Sequence, residues 1–166
     1  IYREAYSQDY NVSLTGAIKS VTIRASVGYF NQNGVLLNSD MRRTSASLNV
    51  NPSLFDDHLR ISINLKGALA QNQFADQGAI GGAIAFDPTQ PVLSGDTAFG
   101  GYFEYLQRNG TPNTLSPRNP LAQLELKDDR SDVLRRVGSV VLDYRMPFLP
   151  DLRANLNLGY DLSQSD

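Results

Sequence analysis

The chain has 166 residues, with 15 Lys plus Arg against 17 Asp plus Glu, 41% hydrophobic residues and a formal net charge of −2. That length supports one domain, or part of one, without disulfide or metal staples, and the small net charge offers no overall field to hold nucleic acid. The absence of Cys and the single His, His58, remove thiol chemistry and leave too few soft ligands for zinc, and no stretch approaches the ~18 apolar residues of a membrane-spanning helix.

Ile1 to Asp9 mix Arg, Glu, Tyr, Gln and Asp, with no apolar run ending in a small-residue cleavage site. The expectation is a cytoplasmic chain or one whose beginning is missing. From there period-two alternation takes over, which puts successive side chains on opposite faces of an extended strand. The spacing predicts strands over Tyr10 to Ala17, Val21 to Phe30, Arg43 to Val50, Leu59 to Leu69, Val137 to Tyr144 and Leu152 to Tyr160. In the second, Val21, Ile23, Ala25, Val27 and Tyr29 oppose Thr22, Arg24, Ser26 and Gly28. In the fourth, Leu59, Ile61, Ile63, Leu65 and Leu69 oppose Arg60, Ser62, Asn64 and Lys66. In the last, Leu152, Ala154, Leu156, Leu158 and Tyr160 oppose Arg153, Asn155 and Asn157. The fold class expected is all-β and antiparallel.

The connections are unequal. Ile18-Lys19-Ser20 is very short, Asn51 to His58 and Met146 to Asp151 are short and contain Pro, and Gln71 to Arg136 is a long insertion. Counting reversals puts these three on one edge, and Asn31 to Asp40 on the other with the insertion. Short turns on one side and long loops on the other, joined by strands of about ten alternating residues, are how transmembrane β-barrels are built. A soluble antiparallel sheet with one wet face accounts for the alternation equally well. The polar face, rich in Ser, Thr, Asn and Arg but poor in Glu and Lys, looks more like a hydrated lumen. Six strands fall short of the eight or so of the smallest membrane barrels, so the barrel reading requires more chain. Within the insertion short helices are expected at Ala79 to Phe86 and Asn119 to Leu126, the second with Asn119 as its cap and Pro120 in its first turn.

Four stretches carry a resemblance to a known family. They are NVSLTGAIKSVTIRASVGYFNQNG from Asn11 to Gly34, DPTQPV from Asp87 to Val92, NPLA from Asn119 to Ala122, and RMPFLPDLRANLNLGYD from Arg145 to Asp161. In this order they resemble the SusC/RagA-type TonB-linked outer-membrane transporters. The resemblance implies a barrel of about 22 strands with a plugged lumen, located in the outer membrane of a Gram-negative bacterium. It further implies import of oligosaccharides or peptides, energy from TonB, and a SusD-like surface lipoprotein as partner. This chain would then be a partial barrel, an early segment with the plug domain absent and an extracellular insertion over 71–136. The alternative is a soluble β-rich binding or adhesion module. No catalytic residue, metal or cofactor is expected.

Candidate chemistry is thin outside the insertion. His58 lies beside Asp56 and Asp57, but turns favour Asp for backbone bonding alone. Asp128, Asp129 and Asp132 lack the spacing of a calcium loop and read as a solvated acidic run. Gly78 to Ala85 has no phosphate-loop ending and reads as a short helix or packed loop. Asp87 to Val92 is expected to be a rigid extended brace, because each Pro fixes its own φ. Arg24, Arg60, Lys66 and Arg153 fall on polar faces, where a plug, an anionic solute or water would meet them. The candidate ligand or partner contacts are Tyr102, Phe103, Glu104, Tyr105 and Arg118. The aromatics offer rigid contact area in a Gly-flanked segment, or else pack the loop onto itself, and the two charges would orient a ligand.

Overall fold

The computed structural model describes residues 1–149 and 151–166. Its strands are β1 (Ser7–Ile18), β2 (Val21–Asn33), β3 (Asp40–Leu54), β4 (Leu59–Gln73), β5 (Arg130–Arg145) and β6 (Arg153–Ser165). They form one six-stranded sheet in chain order, an antiparallel meander in which sequence neighbours pair. All six predicted strands are present, and each extends past its alternating stretch at one end or both; β2 and β4 begin where expected, at Val21 and Leu59, and β6 begins one residue later than Leu152. Alternation is needed only where one face meets an apolar surrounding, whereas the backbone ladder continues wherever partners remain in register. The β4–β5 connection therefore occupies residues 74–129, inside the span Gln71 to Arg136 marked by loss of alternation.

Residues 7–31, 41–71 and 131–166 make one compact unit, the sheet. Only Gly28 and Gly138 are buried among its described residues, because a single layer cannot cover its own faces. In the β5–β6 register Val140 faces Leu158, Leu142 faces Leu156 and Tyr144 faces Ala154, while the alternate pairs are Val137–Asp161, Ser139–Gly159, Val141–Asn157, Asp143–Asn155 and Arg145–Arg153. One face is thus mainly apolar and the other mainly polar, with Val137 and Val141 among the polar pairs and Arg136 opposite Leu162 on the apolar side. Gly138 pairs with Tyr160, whose ring occupies the place a Cβ at 138 would take. The aromatic covers backbone that the glycine leaves bare.

The polar face is tied across strands by side chains. The Ser26 and Ser47 hydroxyls lie 2.7 Å apart, Asn64 Nδ2 donates to Ser139 Oγ at 3.3 Å, and the Arg135 guanidinium forks onto Asp161 at 3.0 and 2.5 Å. The apolar face has no such cover: Leu14 is 74% exposed, Val27 58% and Leu158 59%. On β2 and β3 the two faces also differ in shielding. Ser26, Ser45 and Ser47 are half-buried, while Ala25, Val27, Ala46 and Leu48 are exposed.

The β3–β4 turn places Phe55, Asp56 and Asp57 in succession at positive φ, with Asp57 accepting from Ser53 Oγ. His58 closes this turn against β5: Arg145 N donates to its carbonyl at 2.7 Å, and its Nδ1 lies 3.2 Å from the Arg145 carbonyl. The residue is occupied by strand pairing.

Residues 1–6, 32–40 and 72–130 form the second unit. It contains α1 (Gly78–Ala85), a single 3-10 turn at Thr97–Phe99 and α2 (Pro120–Glu125), so both expected helices are present. Leu36, Ala79 and Leu124 are its buried core, with Ile1, Leu37 and Ala75 packed around them. Asn38, itself at φ 60°, donates to the Leu124 carbonyl at 2.8 Å and joins the β2–β3 connection to α2. The N-terminal segment runs beside that connection: Arg3 N donates to Val35 O at 2.8 Å and Leu37 N to Ile1 O at 3.1 Å. The Arg3 guanidinium adds bonds to Gly34 O, Ser39 O and Asp40 Oδ1 at 3.0, 3.0 and 2.7 Å. Three acceptors on one planar donor group hold the tail in a fixed direction.

Candidate functional site

The candidate residues lie in the long connection, where two local devices set their positions. Asp96 caps the 3-10 turn by accepting from Ala98 N at 2.9 Å, and Gly100 and Gly101 follow at positive φ, turning the chain back on itself. Leu93 and Tyr102 consequently pair as an isolated bridge, and Ser94 Oγ donates to Tyr102 O at 3.0 Å.

The second device is Asn119, which is fully buried. Its Oδ1 accepts from Leu121 N and Ala122 N at 3.0 and 3.3 Å, capping α2, with Pro120 at the position that lacks an intrahelical partner. Its Nδ2 donates to Val92 O at 2.7 Å and Phe103 O at 3.2 Å. One amide therefore clamps three stretches of chain. The cap was legible from the sequence, but the clamp was not, since its two carbonyls lie 27 and 16 residues away.

Joining Phe103 to Asn119 brings their chain neighbours Glu104 and Arg118 to one cavity of about 430 Å³. Asp76, Gln123 and Lys127 line it too, with Phe99 and Leu126 as apolar wall. The Gln123 Oε1 is buried without a hydrogen-bond partner among the described residues. Two carboxylates, two cations and an amide suit a hydrogen-bonding ligand of mixed polarity. Asp76, Gln123 and Lys127 escaped the sequence analysis because nothing local relates them to Glu104.

The three aromatic candidates sit elsewhere. Tyr102 is 8% exposed and its hydroxyl donates to the Glu125 carboxylate at the end of α2. That bond, then burial and the negative charge, hold its phenol above the usual tyrosine range. Phe103 and Tyr105 pack edge-on at 5.1 Å, and Phe86 completes the group at 6.1 Å from Phe103 and 5.7 Å from Tyr105. Such geometry favours the positive ring edge against a negative face.

Asp87 to Val92 differs from the extended brace expected of its two prolines. Asp87 Oδ1 accepts from Thr89 N at 2.9 Å and Thr89 Oγ1 at 2.7 Å, and Gln90 N donates to Asp87 O at 3.1 Å, so the segment opens with a tight turn. Asp before Pro suits that turn as well as an extended chain, because Pro presets φ for its second position. The Thr89 bonds hold Asp87 below the usual carboxylate range. In the acidic run, Asp128 pairs with Arg130 at 2.6 Å and Asp129 with Lys127 at 3.3 Å.

Removing the clamp should loosen the loop. Asn119→Ala loses a cap worth about 1 kcal/mol and takes the side-chain donor from Phe103 O, while Val92 O still accepts from Phe103 N at 3.1 Å, for a combined cost of about 2 to 4 kcal/mol. Asn119→Asp keeps the cap but sets an anion against both carbonyls, and should be no milder. Amide exchange of residues 92–103 reads both variants; full retention of protection in Asn119→Asp would show the clamp to be unimportant. The raised Tyr102 value fixes the sign of a pH effect: its contribution is intact below the usual tyrosine range and is lost as pH rises through the higher folded value. Protease sensitivity near Glu125 should step up only in strong alkali, and Tyr102→Phe should abolish the step.

No family model matches the chain. It is 42% identical over 177 aligned positions, covering 99% of the chain, to the TonB-dependent receptor SusC of Bacteroides thetaiotaomicron. It is 30% identical over 168 positions, covering 93% of the chain, to the TonB-dependent receptor P26 of Formosa agariphila. The chain spans 18% and 16% of the length of these two relatives. Matched almost end to end, and folded as the antiparallel meander of a barrel wall, the chain belongs to the SusC-type TonB-dependent receptors.

Proposed function

We propose that this chain is a stretch of barrel wall in an outer-membrane nutrient importer, with the apolar face of β1–β6 against lipid and the polar face toward the lumen. The single observation that carries this reading is the open apolar face of a one-layer sheet. Leu156, Leu158, Tyr160 and Leu162 on β6 alone are each half-exposed or more. Moving one such side chain out of water gains about 1.5 to 3 kcal/mol, and lipid is the cover that leaves the opposite, serine-rich face wet. The similarity to two TonB-dependent receptors supports the same assignment.

In this reading the short turns face the periplasm and residues 74–129 the outside. The complete protein draws energy through TonB, carries oligosaccharides or peptides, and works with a SusD-like lipoprotein. Glu104 and Arg118 contact the ligand or that partner from the loop cavity, and Tyr102, Phe103 and Tyr105 give the loop its shape.

A charge at a lipid-facing position near the bilayer midplane costs about 2 to 4 kcal/mol. Ile63→Arg in the full-length transporter should therefore lower barrel stability by that amount, and Asn64→Arg by far less; the reverse order, or equal losses, would exclude the facing proposed here. For the loop, Glu104→Gln and Arg118→Gln should each reduce solute uptake or lipoprotein association while the loop keeps its protease resistance. Unchanged uptake and association in both would remove these residues from the site.

A further inference from the structure

Across the middle of β2 to β5, the polar face of the sheet contains a depression of about 380 Å³. Its floor is made of small residues, Ser26, Ser45 and Ser47, and its rim of long cations, Arg43, Lys66 and Arg135. Ser26 and Ser47 are bonded to each other, which leaves the Ser45 hydroxyl as the floor group without a hydrogen bond among the described residues. Arg135 is held by Asp161. Among the described residues, Arg43 and Lys66 have no carboxylate within ion-pair distance, and Arg43 lies over the Phe30 ring at 5.4 Å, which fixes its direction. The chain as a whole is slightly acidic, so this basic rim is a local concentration of charge.

We propose that this depression is a subsite for a compact oxyanion, a carboxylate or sulfate group carried by a solute in the lumen. The inference rests on the polar face lining that lumen. Arg43 and Lys66 supply cationic donors from two strands, and the Ser45 hydroxyl supplies a neutral one beneath them. Charge-assisted bonds from several directions are what hold an oxyanion in water-accessible surroundings, where one cation alone gains little. The small floor leaves room that the chain's own side chains do not fill, and the volume lies at the low end of ligand sites, about 300 to 1,000 Å³.

The test titrates purified full-length transporter in detergent with inorganic sulfate and, separately, with glucuronate, reading heat of binding. Wild type should bind at least one of them, and whichever binds names the group as sulfate or carboxylate. Arg43→Gln combined with Lys66→Gln should weaken that binding by about tenfold or more. Arg153→Gln removes the same charge from the same face outside the depression and should change it by less than about twofold. If the double variant fails to fold, as judged by heat-dependent gel mobility, Lys66→Gln alone carries the comparison. Failure of both anions to bind wild type, including the case in which an acidic side chain from elsewhere in the protein fills the socket, overturns the subsite, as does equal loss in the socket and Arg153 variants. The Ile63 and Asn64 comparison reports separately on the lumen: correct facing with no anion binding sinks only the subsite.

Discussion

Among the described residues the apolar face of the six-stranded sheet stays largely exposed, and most other features of the chain follow from that condition. Stacked sheets and helix-covered sheets bury their apolar side chains within one polypeptide. Here Leu14, Val27, Leu158 and their neighbours remain in the open, so their surroundings must supply the cover. Strict alternation is then a requirement, since a one-residue slip would turn the whole apolar row toward the wet side. The cross-strand bonds of the polar face, Ser26 with Ser47, Asn64 with Ser139 and Arg135 with Asp161, help hold the register that keeps the apolar row on one side.

With the sheet unable to build a core, the chain builds one in its connections. Leu36, Ala79 and Leu124 come from three separate stretches and are brought together by polar groups whose partners are far away in sequence. Asn38 reaches the α2 carbonyl end, Arg3 gathers two backbone carbonyls and Asp40, and Asn119 clamps the 92–103 stretch to the start of α2. A long connection held this way presents a shaped surface rather than a tether.

How much of this was legible in the sequence depended on the range of each interaction. The strands were readable because alternation is repeated and local; their ends were not, because β4 and β5 continue through Gln71 to Gln73 and from Arg130, where neither face needs to be apolar. Asn119 as a cap is written in the three residues that follow it. Its role as a clamp depends on the carbonyls of Val92 and Phe103, which nothing nearby foretells. The same distance hid the cavity: Glu104 and Arg118 could be named as polar neighbours of aromatics, but Asp76, Gln123 and Lys127 join them only through the folded loop. The N-terminal residues carry no period at all, since Ile1 to Tyr6 are held by backbone bonds and by one arginine. The Asp87 turn misled for a related reason, as Pro fits both an extended brace and the second position of a turn.

Which side of the sheet meets lipid can be read by labelling, since this segment of chain contains no cysteine of its own. Cysteines placed one at a time at Ile61, Ser62, Ile63, Asn64 and Leu65 of the full-length protein in membranes, and labelled with a fluorophore, report it directly. Quenching by a lipid-soluble agent should be strong at 61, 63 and 65 and weak at 62 and 64, with a water-soluble agent giving the opposite pattern. Uniform quenching across the five positions, or alternation in the reverse phase, would contradict the assignment of this sheet to a barrel wall with its apolar face in the bilayer.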